Sequence, residues 1–256
     1  MQIITLNNCP SNIVIFEAEG FDEAMQRASV AMEQDNIQGA VWHDPSFVKE
    51  PYDVSDWFDP KYLRNQSPFS YEMRISQKRG ENLDVKPSGG LPYSFSDTGL
   101  LEQRCMESFN KIAPYIRKNG TAIFALNKTA RGPEIHIDEF HSNPNIPSAN
   151  HGLFDQKPIR LVKAWRGAGT ILIDPVDESP DNLLALRKLG FGYGSPATIA
   201  NPWQVAVGDT LFIADNTWGE EKALLHGEPE WIGYDEDANP TKFYDNPRIV
   251  EILTIS

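Results

Sequence analysis

The second half of the chain, from residue 121 onward, consists of short apolar segments separated by turn-forming residues. The segments 121–127, 159–166, 209–214 and 248–255 have the length and the apolar content of β-strands, and glycine, proline and asparagine lie between them. Several short strands at such spacing are typical of a β-sandwich or barrel. We therefore predict an α+β, mainly β fold with a double-stranded β-helix (jelly-roll or cupin-like) core.

The first 120 residues have a different pattern, and we predict a mixed helical and strand shoulder there. Apolar residues recur at helical spacing over 21–34 and over 97–118, where Pro114 predicts a kink. Alternation over 69–76 predicts a half-buried strand, whereas 81–92 is predicted to be a loop. We expect one domain over residues 1–256, with the shoulder at 1–120 and the jelly-roll core at 121–256.

Composition narrows the classes of partner. The net charge of −13 argues against binding a nucleic-acid backbone, because phosphate contacts need a basic surface. No apolar run reaches the roughly 18 residues of a membrane span, and the N-terminus lacks a basic leader. Cys9 and Cys105 have no CxxC partner, which fits a reducing compartment. We expect a cytoplasmic protein with a small-molecule substrate, and neither nucleic acid nor membrane as partner. The sequence leaves the oligomeric state open, and a homodimer through the predicted helix 97–118 is one of the alternatives.

One short motif in the predicted core has the chemistry of a metal site. Ile135 and Ile137 alternate with His136 and Asp138, so an extended strand carries the imidazole and the carboxylate on one face. His226, which follows the predicted strand 209–214, is the candidate third ligand. Two histidines and one carboxylate suit Fe(II) and leave coordination positions open for a co-substrate and oxygen.

These residues also have simpler interpretations. His136 and Asp138 could form a hydrogen-bonded pair on a strand edge, and His226 could be a core histidine satisfied by its neighbours. His141 competes as a ligand, although the region 140–150 reads as a loop with two prolines.

A 2-oxo acid that chelates the metal would need a cation for its far carboxylate. Arg248 begins the last predicted strand and is the first candidate, because a guanidinium binds a carboxylate through two hydrogen bonds. Arg160 and Lys163 are the alternatives. Strand alternation puts these two on opposite faces, so at most one of them points inward.

The H-x-D strand, the strand Gly-Asp-Thr-Leu-Phe, and the distal His-Gly followed by a strand that begins with arginine resemble the Fe(II)/2-oxoglutarate-dependent oxygenase superfamily. The resemblance covers about residues 121–255. It implies His136, Asp138 and His226 as iron ligands, Arg248 as the anchor of the co-substrate, and Fe(II) and 2-oxoglutarate as cofactors.

A narrower resemblance extends over the block from His136 to Thr170. This block is similar to a bacterial family of unknown function that has H-x-D, then R-L-x-x-x-Y-R-G-P-G-T, then a late histidine. In this chain Trp165 stands in place of the tyrosine and Ala168 in place of the proline.

Three functions from different classes follow from these patterns. The first is a non-heme iron dioxygenase that uses 2-oxoglutarate to oxidise a small molecule or an amino-acid-like substrate. The second is a metal-dependent cupin enzyme that does not use 2-oxoglutarate. The third is a non-catalytic jelly roll that binds a metabolite.

Overall fold

A computed structural model of the chain describes residues 9–44, 70–89, 98–127, 135–137, 157–166, 169–188, 201–219, 221–227, 232–234, 240–242 and 248–256. These residues form a mixed α/β protein in which strands outnumber helices. No helix among them is long and apolar enough to cross a membrane. Asp138 and His141, two of the predicted ligands, lie outside the described residues.

The described elements comprise three α-helices, two 3₁₀ turns and fourteen strands. The helices are α1 (Phe21–Met32), α2 (Thr98–Ile112) and α3 (Pro180–Lys188), and the 3₁₀ turns are Ala113–Tyr115 and Asn216–Trp218. The strands are β1 (Ile13–Glu17), β2 (Gly39–His43), β3 (Ser70–Lys78), β4 (Asp84–Gly89), β5 (Asn119–Asn127), β6 (Ile135–His136), β7 (Ile159–Arg166), β8 (Ile171–Leu172), β9 (Trp203–Gln204), β10 (Thr210–Ala214), β11 (His226–Gly227), β12 (Ile232–Tyr234), β13 (Pro240–Lys242) and β14 (Arg248–Ile255).

The second predicted helix ends earlier than its apolar spacing indicates. It ends at Ile112, and a 3₁₀ turn containing Pro114 follows, because proline has no N–H for the helical ladder and its ring crowds the preceding turn. Asn119 and Gly120 then begin β5. The pattern therefore predicted the helix but placed its end six residues too late.

Eight strands form one large sheet, which is not closed into a barrel. Its order is β1-β2-β10-β7-β14-β5-β3-β4, with β1 and β4 at the two edges. Half of the strands come from the N-terminal third, so that third shares a sheet with the later strands. The predicted loop over 81–92 is wrong in part, because β4 pairs with β3 there. All six residues of β4 are exposed, and a polar edge strand lacks the alternation by which strands are recognised.

The strands from β5 onward pair in a nested order. β5 pairs with β14, β6 with β11, β7 with β10, and β8 with β9, and all four pairs are antiparallel. The first and third pairs belong to the large sheet, whereas the second and fourth form a small sheet of order β6-β11-β8-β9. Successive segments of the chain therefore alternate between two sheets.

Three apolar clusters separate the layers. The helix-side core lies between α1, α2 and the large sheet, and includes Phe16, Met25, Phe109, Leu161 and Phe212. The outer core lies between the small sheet and α3, and consists of Ile173, Leu186 and Leu225. The inter-sheet core joins the two sheets, and its buried members are Ile13, Ile15, Val41, Val162, Leu172, Val205, Leu211, Ile213, Leu224 and Val250.

Gly169 allows the closest approach of two segments in the small sheet. A Cβ at this position would lie 1.9 Å from the backbone oxygen of Val205. Because the obstacle is backbone, we expect Gly169→Ala to lower the free energy of unfolding by about 1–3 kcal/mol, the usual cost of overpacking. Denaturant unfolding measures this loss.

Gly20→Ala is the matched control. Gly20 precedes α1 with an extended backbone, and nothing lies within 4 Å of its Cβ position. We expect this variant to unfold within about 0.5 kcal/mol of the wild type. Equal losses at the two positions would show that the close contact at Gly169 does not restrict the side chain.

Candidate metal centre

His226 is a buried histidine with a defined tautomer. Its residue is 5% exposed, and Nδ1 lies 3.0 Å from the carbonyl oxygen of Leu224. A carbonyl oxygen only accepts hydrogen bonds, so Nδ1 carries the proton and donates it. The neutral ring then has its lone pair on Nε2. Histidines that bind metals are oriented in this way by a backbone or carboxylate acceptor, and so are satisfied core histidines.

The ring of His226 belongs to the face that packs between the two sheets. Leu224, two residues earlier, and Leu172, its cross-strand partner on β8, are both buried in the inter-sheet core. Leu225, which lies between Leu224 and His226 in the sequence, packs in the outer core beneath α3. Alternation along the strand therefore directs position 226 toward the large sheet, into apolar surroundings.

The position of His136 is defined by the backbone register. His136 on β6 is the direct cross-strand partner of His226 on β11. Residues opposite each other in an antiparallel pair belong to the same face of the sheet, with their Cβ atoms about 5 Å apart. Ile137 packs against the outer core, which by alternation assigns position 136 to the inner face. The structure thus brings two predicted ligands to adjacent positions.

The predicted carboxylate ligand, Asp138, lies outside the described residues. Within the parts of the chain that the structure describes, no group of three or more His, Cys, Asp or Glu residues could hold a metal ion. The set therefore rests on the paired positions 136 and 226, with Asp138 still a prediction. By the chemistry of the donors, two imidazoles and one carboxylate fit Fe(II).

The three candidate cations lie in different places. Lys163 lies two residues after Leu161 on β7 and therefore on the same face of the strand. This face is turned toward the helix-side core, away from the face of His226. Arg160 is half-buried and lies on the same face of β7 as Val162, which packs in the inter-sheet core. Position 248 has the parity of Val250, also in the inter-sheet core, and stands opposite Asn127 of β5. The structure therefore does not bring Lys163 together with His226, whereas strand alternation leaves both arginine positions on the inner side.

His43 precedes Asp44-Pro45, a sequence that predicts a surface or turn histidine, but in the structure it has a buried partner. The Nδ1 atom of His43 lies 2.9 Å from a carboxylate oxygen of Asp209, and the His43 side chain keeps 31% of its exposure. Burial raises the pKa of Asp209, and the neighbouring imidazole of His43 opposes that rise. The only sequence signal was Asp209 itself, a carboxylate placed directly before an apolar strand.

Glu251 is the other polar group that sequence reasoning missed. It is 4% exposed within β14 and accepts a hydrogen bond of 2.8 Å from Nε1 of Trp165. A charged residue within the apolar run 248–255 was the available signal. It indicates a polar group on a buried face, but it does not reveal the partner.

Comparison of the chain with models of protein families found no family that matches. A search of curated proteins likewise found none with significant similarity.

Proposed function

We propose that the chain is an Fe(II)/2-oxoglutarate-dependent oxygenase that oxidises a small molecule or an amino-acid-like substrate. The observation that carries this proposal is the direct pairing of positions 136 and 226 on the inner face of the small sheet. The sequence separates these residues widely, and an arbitrary pair of histidines would have no reason to stand opposite each other.

The connectivity of the two sheets supports the same proposal. Nested antiparallel pairs that alternate between two packed sheets are what results when one long hairpin is rolled up, which is the jelly-roll arrangement. In such a fold the second and seventh strands are neighbours, and here these are β6 and β11. A metal held by residues of these strands would lie between the sheets.

His136, Asp138 and His226 would hold the iron. When bound, Fe(II) together with 2-oxoglutarate supplies the activation of molecular oxygen. The carbonyl of Leu224 orients the His226 ring by accepting its Nδ1–H. Arg248 would bind the far carboxylate of 2-oxoglutarate through its guanidinium.

An anaerobic titration tests the proposal. Metal-free protein is given Fe(II) and then 2-oxoglutarate, and the visible absorption spectrum is recorded after each addition. We expect a weak charge-transfer band that forms only when both are present. Iron binding without the band would favour the cupin enzyme that uses no 2-oxoglutarate, and no iron binding would favour the non-catalytic jelly roll.

Replacing the proposed anchor should weaken the binding of 2-oxoglutarate but not the binding of iron. We expect Arg248→Gln to raise the 2-oxoglutarate concentration at half-maximal band intensity by about 10–100-fold, because one charged hydrogen-bonding group is lost. Fe(II) affinity should stay unchanged.

Arg160→Gln is the control for this variant, since Arg160 has the same parity but pairs with Thr254 near the other end of β14. If Arg160→Gln weakens 2-oxoglutarate and Arg248→Gln does not, Arg160 is the anchor. If neither variant changes the titration, the far carboxylate is bound by neither arginine.

A further inference from the structure

A cavity of about 230 Å³ lies on the helix side of the large sheet, on the face opposite to that of His226. Its walls come from the four neighbouring strands β2, β10, β7 and β14, and from the ends of α1 and α2. Apolar surface is supplied by Phe21, Leu161, Trp165 and Leu253. The volume suits a metabolite and is smaller than the pockets that hold drug-sized ligands.

Charged groups of both signs line this cavity. Lys163 and Lys111 supply amines, and Asp44 and Glu251 supply carboxylates. Lys163 is 8% exposed, and its Nζ lies 3.6 Å from a carboxylate oxygen of Asp44 and 4.5 Å from the centre of the Trp165 ring. Lys163 and Glu251 are buried, and buried charges are retained only where partners hold them, whereas Lys111 is exposed.

One hydrogen-bond donor in the wall has no acceptor among the described residues. The Nε1–H of Trp42 is buried and unpartnered there, and Trp42 lines the cavity. A buried donor without an acceptor costs about 1–3 kcal/mol in an empty site, and a ligand that carries an acceptor removes this cost. An acceptor that reached this N–H from the cavity would remove that cost, and a ligand carboxylate supplies one.

We propose that this cavity binds a small α-amino acid with an apolar side chain. The ligand's carboxylate accepts from the Trp42 indole and lies near the Lys111 amine, its ammonium group meets Asp44 and Glu251, and its side chain packs on the apolar wall. A zwitterion matches a wall with two amines and two carboxylates better than an ion of either sign. The site stands on the face away from the histidines and does not depend on the proposed iron chemistry.

Isothermal calorimetry of the full chain with L-leucine, L-methionine and L-phenylalanine tests this site. We expect at least one of the three to bind at a 1:1 ratio with a sub-millimolar Kd. For phenylalanine, phenethylamine lacks the carboxylate and 3-phenylpropanoate lacks the ammonium group. Each analogue should bind at least about tenfold more weakly than the amino acid. Absence of saturable binding for all three amino acids, or equal affinity for either analogue, would overturn the proposal.

Trp42→Phe separates the hydrogen bond from the packing, since it keeps an aromatic ring and removes the indole N–H. We expect it to lower the affinity for the amino acid by about tenfold, whereas Trp203→Phe, in the small sheet, should leave the affinity unchanged. Lys111→Gln, an exposed change on α2, should also weaken binding, and Lys118→Gln should not. Binding that is unaffected by both Trp42→Phe and Lys111→Gln would place the ligand elsewhere.

Discussion

His226→Gln is expected to abolish Fe(II) binding in the micromolar range, and with it the charge-transfer band that 2-oxoglutarate produces. Removing a group that only orients a metal ligand costs 10–100-fold in affinity, so loss of the ligand itself should cost at least about 100-fold. Glutamine retains a donor for the Leu224 carbonyl, which His226 now contacts at 3.0 Å. The fold should therefore persist, with a change in unfolding free energy of about 1 kcal/mol. Anaerobic calorimetry with Fe(II) and far-UV circular dichroism check the two outcomes separately.

His43→Gln is the matched control, because Nδ1 of His43 is also hydrogen-bonded to a buried neighbour, a carboxylate oxygen of Asp209. It should bind Fe(II) as the wild type does. If His43→Gln loses iron and His226→Gln keeps it, the metal lies at the His43–Asp209 pair. If both variants bind iron normally, His226 is a satisfied core histidine and the dioxygenase proposal fails.

The apolar strands could be predicted because burial determines their sequence. β7 and β14 occur over the predicted segments 159–166 and 248–255, with the same bounds. Both are central strands of the large sheet, so apolar residues fill one or both faces and the run is unmistakable. Helix α1 was equally visible, since its buried residues all fall on one side at helical spacing.

The edge strands and the joining of the two halves could not be predicted in the same way. β4 is exposed along its length, and β1 pairs with β2 in parallel across the intervening helix α1. No local pattern records which strands become neighbours, because pairing depends on contacts distant in sequence. The interpretation of the N-terminal third as a shoulder therefore missed that β1 to β4 extend the large sheet.

Only part of the candidate metal site could be predicted from the sequence. Alternation predicts that Ile137 occupies the face opposite to His136, and Ile137 packs against the outer core. The register that places His136 opposite His226 depends on tertiary structure, and no local sequence pattern predicts it. The cavity on the other face was not foreseen, since its charged lining residues lie on two strands, on one helix and directly after β2, at positions distant in sequence.

Lys163→Met should be the most destabilising of the charge changes. Lys163 and Asp44 form an ion pair whose side chains keep only 10% and 18% of their exposure. Burial lowers the pKa of Lys163, and the carboxylates of Glu251 and Asp44 only partly oppose this. Removing the lysine takes away the ammonium group 3.6 Å from the Asp44 carboxylate, so we expect a loss of about 3 kcal/mol in unfolding free energy at pH 7. Denaturant unfolding measures it.

Lys86→Met is the matched control, because the Lys86–Asp84 pair on β4 keeps 68% and 49% of its side-chain exposure and should contribute less than about 1 kcal/mol. Equal losses in both variants would show that burial does not strengthen the pair.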